Sequence, residues 1–286
     1  MARRVGLLAA LAALITGCSA TGALNALVPE RTYTGREGIA FGPGPRDQLD
    51  VYQPLVAPVG KKPPLVVFLY GGNWNSGERA DYRFVGEALA SGGAIAVIPD
   101  YRLVPQVHYP EFLDDNARAM AWVFAHAKEL GGDPDNIYVM GHSAGAYNAA
   151  MLALDPRWLG AQRGKLKGFI GIAGPYDFLP IGNPDTQRAF QWPDTPPESQ
   201  PIVYASNTAP RTLLLAAARD SLVNPQRNTL GLAVRLKAKG TDVTVKVLDN
   251  VSHTTVIGAM ASPLRFLAPV RAEVLAFLGL LPHPNK

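Results

Sequence analysis

Along the chain, short apolar runs alternate with longer stretches in which apolar residues recur at helical spacing. Pro64-Leu-Val-Val-Phe-Leu-Tyr70, Ala94-Ile-Ala-Val-Ile98, Ile137-Tyr-Val-Met140, Phe169-Ile-Gly-Ile-Ala173 and Thr212-Leu-Leu-Leu-Ala216 read as strands, most of them continuous enough to be buried on both faces. Asp47-Gln-Leu-Asp-Val-Tyr52 alternates as a half-exposed strand does, and Val243-Thr-Val-Lys-Val-Leu248 is a further strand. Helices are predicted over Arg79–Ala90, from Ala144 onward, near Pro225–Lys239 and over Ser262–Leu278. A further helix, Glu111–Leu130, places Leu113, Ala117, Met120, Ala121 and Phe124 on one stripe and is closed by Gly131-Gly132. Strand–helix alternation with buried strands predicts an α/β fold: a mostly parallel central sheet with helices on both faces.

Two regions break this pattern. Between Pro175 and Pro210 the chain carries eight prolines and few periodic apolar positions. An irregular stretch of that length in a compact domain reads as a small cap beside a functional site. The first residues break it differently. MARR is followed by an apolar run, Val5 to Ile15, too short to span a bilayer, and then by Ile15-Thr16-Gly17-Cys18. This resembles the lipobox of bacterial lipoproteins, which implies a signal peptide over 1–17 and lipidation of Cys18. Ser19 resembles the pattern that sends such proteins to the outer membrane. The resulting expectation is a catalytic domain over 36–286, with its cap at about 175–210. It would be tethered by 18–35 and held at a membrane surface on the periplasmic side of the envelope.

Composition narrows the classes. Hydrophobic residues make up 48% and charged residues 17%, which suits a globular chain. The formal charge of +4 falls to +2 once Arg3 and Arg4 leave with the signal, and no dense Lys/Arg run suggests a nucleic-acid partner. The lone cysteine leaves no internal disulfide to form.

The candidate chemistry begins at Gly141-His142-Ser143-Ala144-Gly145, which closes a buried strand and opens a helix. A serine on so sharp a turn projects above the sheet edge, and the helix start aims free N–H groups at developing negative charge. Such a serine needs a base. Of five histidines, His253 directly follows the last strand, on the sheet edge that holds Ser143. His142 lies inside the turn, where its side chain is expected to face away from the serine. His126 is in a helix, His108 in a loop and His283 in the tail. The base needs a carboxylate. Asp220, just after Thr212–Ala218, is the first candidate, with Asp249 as runner-up and Asp177 as a loop acid. An oxyanion would be met by the Ala144 N–H and by either Gly72 or Asn73 in Tyr70-Gly71-Gly72-Asn73-Trp74. Trp74, Tyr176, Phe190 and Trp192 lie where they could line a substrate pocket. No metal-ligand cluster and no phosphate-binding loop is found, so no cofactor is expected.

The order Ser143…Asp220…His253, the turn and the Gly-Gly loop resemble an alpha/beta-hydrolase. More narrowly, Tyr70-Gly-Gly-Asn-Trp74, Pro99-Asp-Tyr-Arg102, Gly141-His-Ser-Ala-Gly145, Asp220-Ser-Leu-Val223 and His253 resemble a carboxylesterase branch. That branch is related to hormone-sensitive lipase, kynurenine formamidase and BD-type feruloyl esterases. The resemblance spans roughly residues 45 to 280. It implies a serine carboxylesterase for short- to medium-chain esters of small molecules, with Asp100-Tyr101-Arg102 as loop support. The branch usually carries His where this chain has Tyr70. The same fold and triad also serve formamidases, amidases, peptidases and acyltransferases, and a catalytically silent envelope-binding lipoprotein is the alternative of a different class.

Overall fold

The computed structural model describes residues 18–56 and 60–281. The signal sequence read at 1–17 and His283 lie outside the described residues, as does the Cys18 side chain on which lipidation is expected. Eight strands form one sheet in the order β1-β2-β4-β3-β5-β6-β7-β8. They are β1 (Tyr33–Ala40), β2 (Gln48–Pro54), β3 (Leu65–Leu69), β4 (Ile95–Pro99), β5 (Ile137–His142), β6 (Leu166–Ile172), β7 (Arg211–Ala217) and β8 (Val243–Leu248). β1 and β2 pair antiparallel, β2 runs antiparallel to β4, and every other pairing is parallel.

The alternation of side chains along each strand divides the core in two. Val66, Phe68, Ala96, Ile98, Met140 and Leu213 meet the helix Arg83–Ala90 and the helix Val270–Phe277 on one face. Leu65, Val67, Leu69, Val97, Val139 and Leu214 meet the helices Glu111–His126, Ala144–Leu154 and Gly231–Ala238 on the other. Numbered along the chain, Cys18–Ala26 is α1, Arg83–Ala90 α2, Glu111–His126 α3, Ala144–Leu154 α4, Pro156–Leu159 α5, Pro184–Ala189 α6, Gly231–Ala238 α7, His253–Gly258 α8 and Val270–Phe277 α9.

One segment differs from its sequence reading. In place of a tether over 18–35, the chain forms α1 and then enters β1. Leu24 is buried, and the Asn25 side chain both donates to Ala80 O at 2.7 Å and accepts the Phe84 N–H at 3.2 Å. Small residues hid this helix because two side chains do the docking. The region after β6 runs through α6 and two 3₁₀ turns, Pro197–Ser199 and Pro201–Tyr204, before β7 begins. Tyr147 of α4 fastens it by donating to Ser199 O at 2.7 Å.

The parallel strands deliver their C-terminal ends to one edge, and close contacts fix the geometry there. A Cβ on Gly145 would fall inside contact distance of the Leu69 and Tyr70 carbonyls, and one on Gly141 would strike the Gly145 backbone. β3, β5 and α4 therefore approach more closely than any side chain allows. Gly145→Ala is expected to cost about 3 kcal/mol or more, the upper end of overpacking penalties because the obstacle is backbone. Urea denaturation of the purified variant measures it.

Candidate active site

Ser143 joins β5 to α4 with φ 55° and ψ −126°. A non-glycine residue there carries strain of order 1–3 kcal/mol. The strain is held in place from both sides. The Ser143 N–H donates to Ile172 O at 3.0 Å, and the Ser143 carbonyl accepts the N–H groups of Ala146 and Tyr147 at 2.9 and 3.1 Å. The side chain is left pointing over the sheet edge.

His253 opens α8, whose start is fixed by Ser252 and Thr255 in a reciprocal capping box. The Ser143 hydroxyl lies 2.7 Å from His253 Nε2, and His253 Nδ1 lies 2.8 Å from Asp220 Oδ2. Asp220 sits in the turn after β7, where its Oδ1 accepts the N–H groups of Leu222 and Val223 at 2.9 and 2.8 Å. Burial of Asp220 works against ionisation, but the bonds from His253, Val223 and Leu222 outweigh it and hold the carboxyl below its ordinary pKa. An ionised Asp220 accepts from Nδ1–H and leaves Nε2 free to take a proton from Oγ.

The Ala144 N–H, at the first position of α4, and the Asn73 N–H have no hydrogen-bond partner among the described residues. Asn73 and Trp74 both hold left-handed backbone, with φ of 50° and 59°. Gly72, at φ 129°, turns toward Ser76, and its carbonyl accepts the N–H groups of Asn75 and Ser76, both at 3.0 Å. Asn73 lines the cavity at Ser143; Gly72 does not.

A charged network supports this loop. The Tyr70 hydroxyl donates to Asp100 at 2.8 Å and accepts from Arg46 at 2.8 Å, and Tyr101 donates to Tyr70 O at 2.9 Å. Arg79 bridges Asp100 and Asp50 at 2.5 and 2.8 Å. Burial pushes the Tyr70 phenol well above its ordinary range, so it stays a neutral donor. Arg102 forms a fork on Asp115 and lies outside this group.

A cavity of about 280 Å³ opens on Ser143 and His253. Trp74, Phe178, Ile181 and Leu222 supply apolar wall, while Asn183 and Thr186 add polar groups. Of the four aromatic residues singled out from sequence, Trp74 alone lines it. Phe190 stands behind Trp74, edge to face with ring centres 4.8 Å apart. Tyr176 is buried beneath β6 against Phe169, and Trp192 packs on the core from the segment between β6 and β7. A loop aromatic reads the same from sequence whether it faces a cavity or backs its wall.

The remaining candidates are placed elsewhere. Asp249 is exposed and forms no hydrogen bond or ion pair with His253 among the described residues, and Asp177 pairs with Arg227 at 3.0 Å. His108 bonds to Arg188 O at 2.9 Å, and His126 stacks on Trp122. His142 makes a contact with His253 that its sequence position did not indicate. Its ring lies 5.0 Å from the His253 ring, and its Nε2–H donates to the His253 carbonyl at 2.9 Å. Burial, then the neighbouring His253, lowers its pKa to about 3. No spacing rule links positions 142 and 253; Arg46 and Arg79 were likewise missed, since nothing in their local sequence marks them.

With the geometry described, likeness to known proteins can be stated. The family model BD-FAE matches residues 49–233. The chain is 34% identical over 155 residues to a probable isoprenylcysteine alpha-carbonyl methylesterase of Arabidopsis thaliana, ICMEL1, covering 50% of this chain and 32% of that protein. It is 28% identical over 229 residues to esterase LipC of Mycobacterium tuberculosis, covering 73% of this chain and 56% of that one. The chain thus spans a third to just over half of these relatives' lengths. Among solved structures, a tributyrin-phosphonate form of esterase B from Lactobacillus rhamnosis superposes with a TM-score of 0.78 at 18% identity, over 96% of this chain and 95% of the other. A hyperthermophilic esterase from Pyrobaculum calidifontis gives 0.73 at 24% identity, over 96% and 93%. At these identities the likeness establishes an alpha/beta-hydrolase fold.

The buried neutral His142 sets a pH dependence. Its folded pKa of about 3 lies below the unfolded value of about 6.5, so only the unfolded state binds a proton between them. Its stabilising contribution is full above about pH 6.5 and drains as the pH falls toward 3, about 1.4 kcal/mol per pH unit. His142→Gln keeps a donor toward His253 O without titrating. From pH 7.5 to 4.5, wild type is expected to lose about 2–3 kcal/mol more unfolding free energy than the variant. Urea titrations at the two pH values check this.

Proposed function

Because this chain belongs to the BD-FAE family, we propose that it is a serine carboxylesterase acting on short- to medium-chain esters of small molecules through an acyl-enzyme. The observation that carries the reading is the unbroken hydrogen-bonded chain Asp220–His253–Ser143 ending in the cavity beside two unpartnered N–H groups. In this reading, Ser143 Oγ attacks the ester carbonyl while His253 Nε2 takes its proton, and Asp220 steadies the imidazolium. The Ala144 and Asn73 N–H groups receive the oxyanion. His253 then protonates the departing alcohol, the acyl group stays on Ser143, and a water activated by the same nitrogen releases the acid.

The size of the cavity supports the chain length. About 280 Å³ lies at the small end of ligand pockets. Phe112, Tyr147 and Phe190 fill the space behind Trp74, with Phe178 beside it in the wall, and stop that wall from yielding. No Asp, Glu, Lys or Arg is among the lining residues, which suits an uncharged acyl group. We further propose that Cys18 carries the lipid that holds the domain at the cell envelope, a reading supported by the lipobox-like sequence ahead of it.

Ser143→Ala is expected to lose both fluorophosphonate labelling and p-nitrophenyl butyrate hydrolysis while unfolding at the wild-type urea midpoint. A labelled or active variant would defeat the assignment. Asp220→Asn is expected to lower kcat by up to about 10⁴-fold through the wrong imidazole tautomer. Turnover is expected to fall from butyrate to octanoate. Expressed in a bacterium from its own start, the chain is expected in the membrane fraction with a mass matching a lipidated Cys18, and Cys18→Ser is expected to abolish that mass.

A further inference from the structure

Asn148 is fully buried in the middle of α4, five residues after the serine. Asparagine is a poor helix former, and its carboxamide is costly to dry out. One of its polar ends is nevertheless without a partner: Nδ2 bonds to nothing among the described residues. The oxygen is used. It accepts the Trp74 indole N–H at 3.0 Å. A carboxamide kept in a dry helix with its nitrogen unused is kept for that oxygen.

Trp74 needs the restraint. A bulky residue at φ 59° is a backbone outlier, and Asn73 before it is left-handed as well. The Phe112, Tyr147 and Phe190 rings enclose the indole, and its buried N–H still needs an acceptor, which makes that bond the directional restraint. Two hydrogen bonds fix it: Val104 N–H donates to the Trp74 carbonyl at 2.8 Å, and Trp74 Nε1–H donates to Asn148. The first holds the backbone after Asn73; the second stops the residue rotating about it.

Resting on the esterase reading above, we propose that Asn148 is a positioning residue for the oxyanion site. By accepting the Trp74 N–H it holds the strained Asn73–Trp74 backbone and so aims the Asn73 N–H at the substrate oxygen. α4 then sets both halves of the site, presenting Ser143 at its start and the oxyanion loop through Asn148.

The test is a double-mutant cycle with Trp74→Phe and Asn148→Leu, read as kcat and KM on p-nitrophenyl butyrate. Each single change leaves one buried polar partner unsatisfied and is expected to lower kcat about 10-fold or more with KM within about twofold. The double variant, having neither group, is expected to be no worse than either single one. Losses that multiply in the double variant, or a folded Asn148→Leu with wild-type kcat, would overturn the proposal. If Asn148→Leu does not fold, Trp74→Phe must show the kcat loss alone, and wild-type kcat there overturns the proposal equally. The bond itself is read without turnover by exchange of the ¹⁵N-labelled Trp74 indole proton. Slow exchange in wild type that becomes fast in Asn148→Leu supports the bond, and unchanged exchange refutes it. A wild-type chain that hydrolyses no ester defeats the esterase reading instead, and the indole signal separates the two failures.

Discussion

The close approach of β3, β5 and α4 at Gly141 and Gly145 is the constraint on which the site depends. A serine at φ 55° is unstable alone and persists because its surroundings over-determine it. Glycine at 145 lets α4 begin directly against the Leu69 and Tyr70 carbonyls. The end of β3 is thereby pinned beside the serine, and the loop that follows has no freedom to start elsewhere. Gly71 shows the same crowding from the other side, since a Cβ there would lie 2.9 Å from Ser143 Cβ. Ser143 and the loop that carries Asn73 are therefore two products of one packing arrangement.

Packing sets where the loop starts, and charge sets where it goes. Asp50 and Asp100 are buried, and each would be costly without its partners. Arg79 reaches both, while Arg46 ties the Tyr70 hydroxyl to the Gly77 carbonyl at 2.8 Å each. This network gives Tyr70 its place beneath the loop. Position 70 must fill the space under the Gly-Gly turn and give a hydrogen bond to Asp100, and a neutral phenol does both. The bonds are directional, so they select one loop geometry where apolar contacts would permit several.

The sequence was most readable where burial was complete. β3 through β7 are nearly unbroken apolar runs because both faces are covered, and strand ends then placed Ser143, Asp220 and His253 on a common edge. β1 was not readable because Tyr33–Ala40 is largely exposed, with two glycines, and is held by pairing to β2 rather than by burial. α1 failed for a related reason, its docking resting on Leu24 and Asn25. Pocket aromatics were the weakest inference. Trp74, Tyr176, Phe190 and Trp192 share a loop setting in sequence, and only the tertiary fold separates the one facing the cavity from those behind it. His142 and Asn148 were unreadable in kind, since each acts through a single bond to a residue distant along the chain.

These two residues also show how a buried site tolerates unpaired polar atoms. His142 Nδ1 and Asn148 Nδ2 both lack partners among the described residues, and both belong to side chains whose other end holds part of the site. An apolar replacement would relieve the desolvation cost at each position but would release the His253 carbonyl in one case and the Trp74 indole in the other. The penalty persists because the geometry it secures is local and directional. His142 stays neutral for the same reason of burial, so it braces His253 without placing a positive charge beside that imidazole. Stability is thus given up at two points flanking Ser143, one on the side of His253 and one on the side of the Asn73–Trp74 loop.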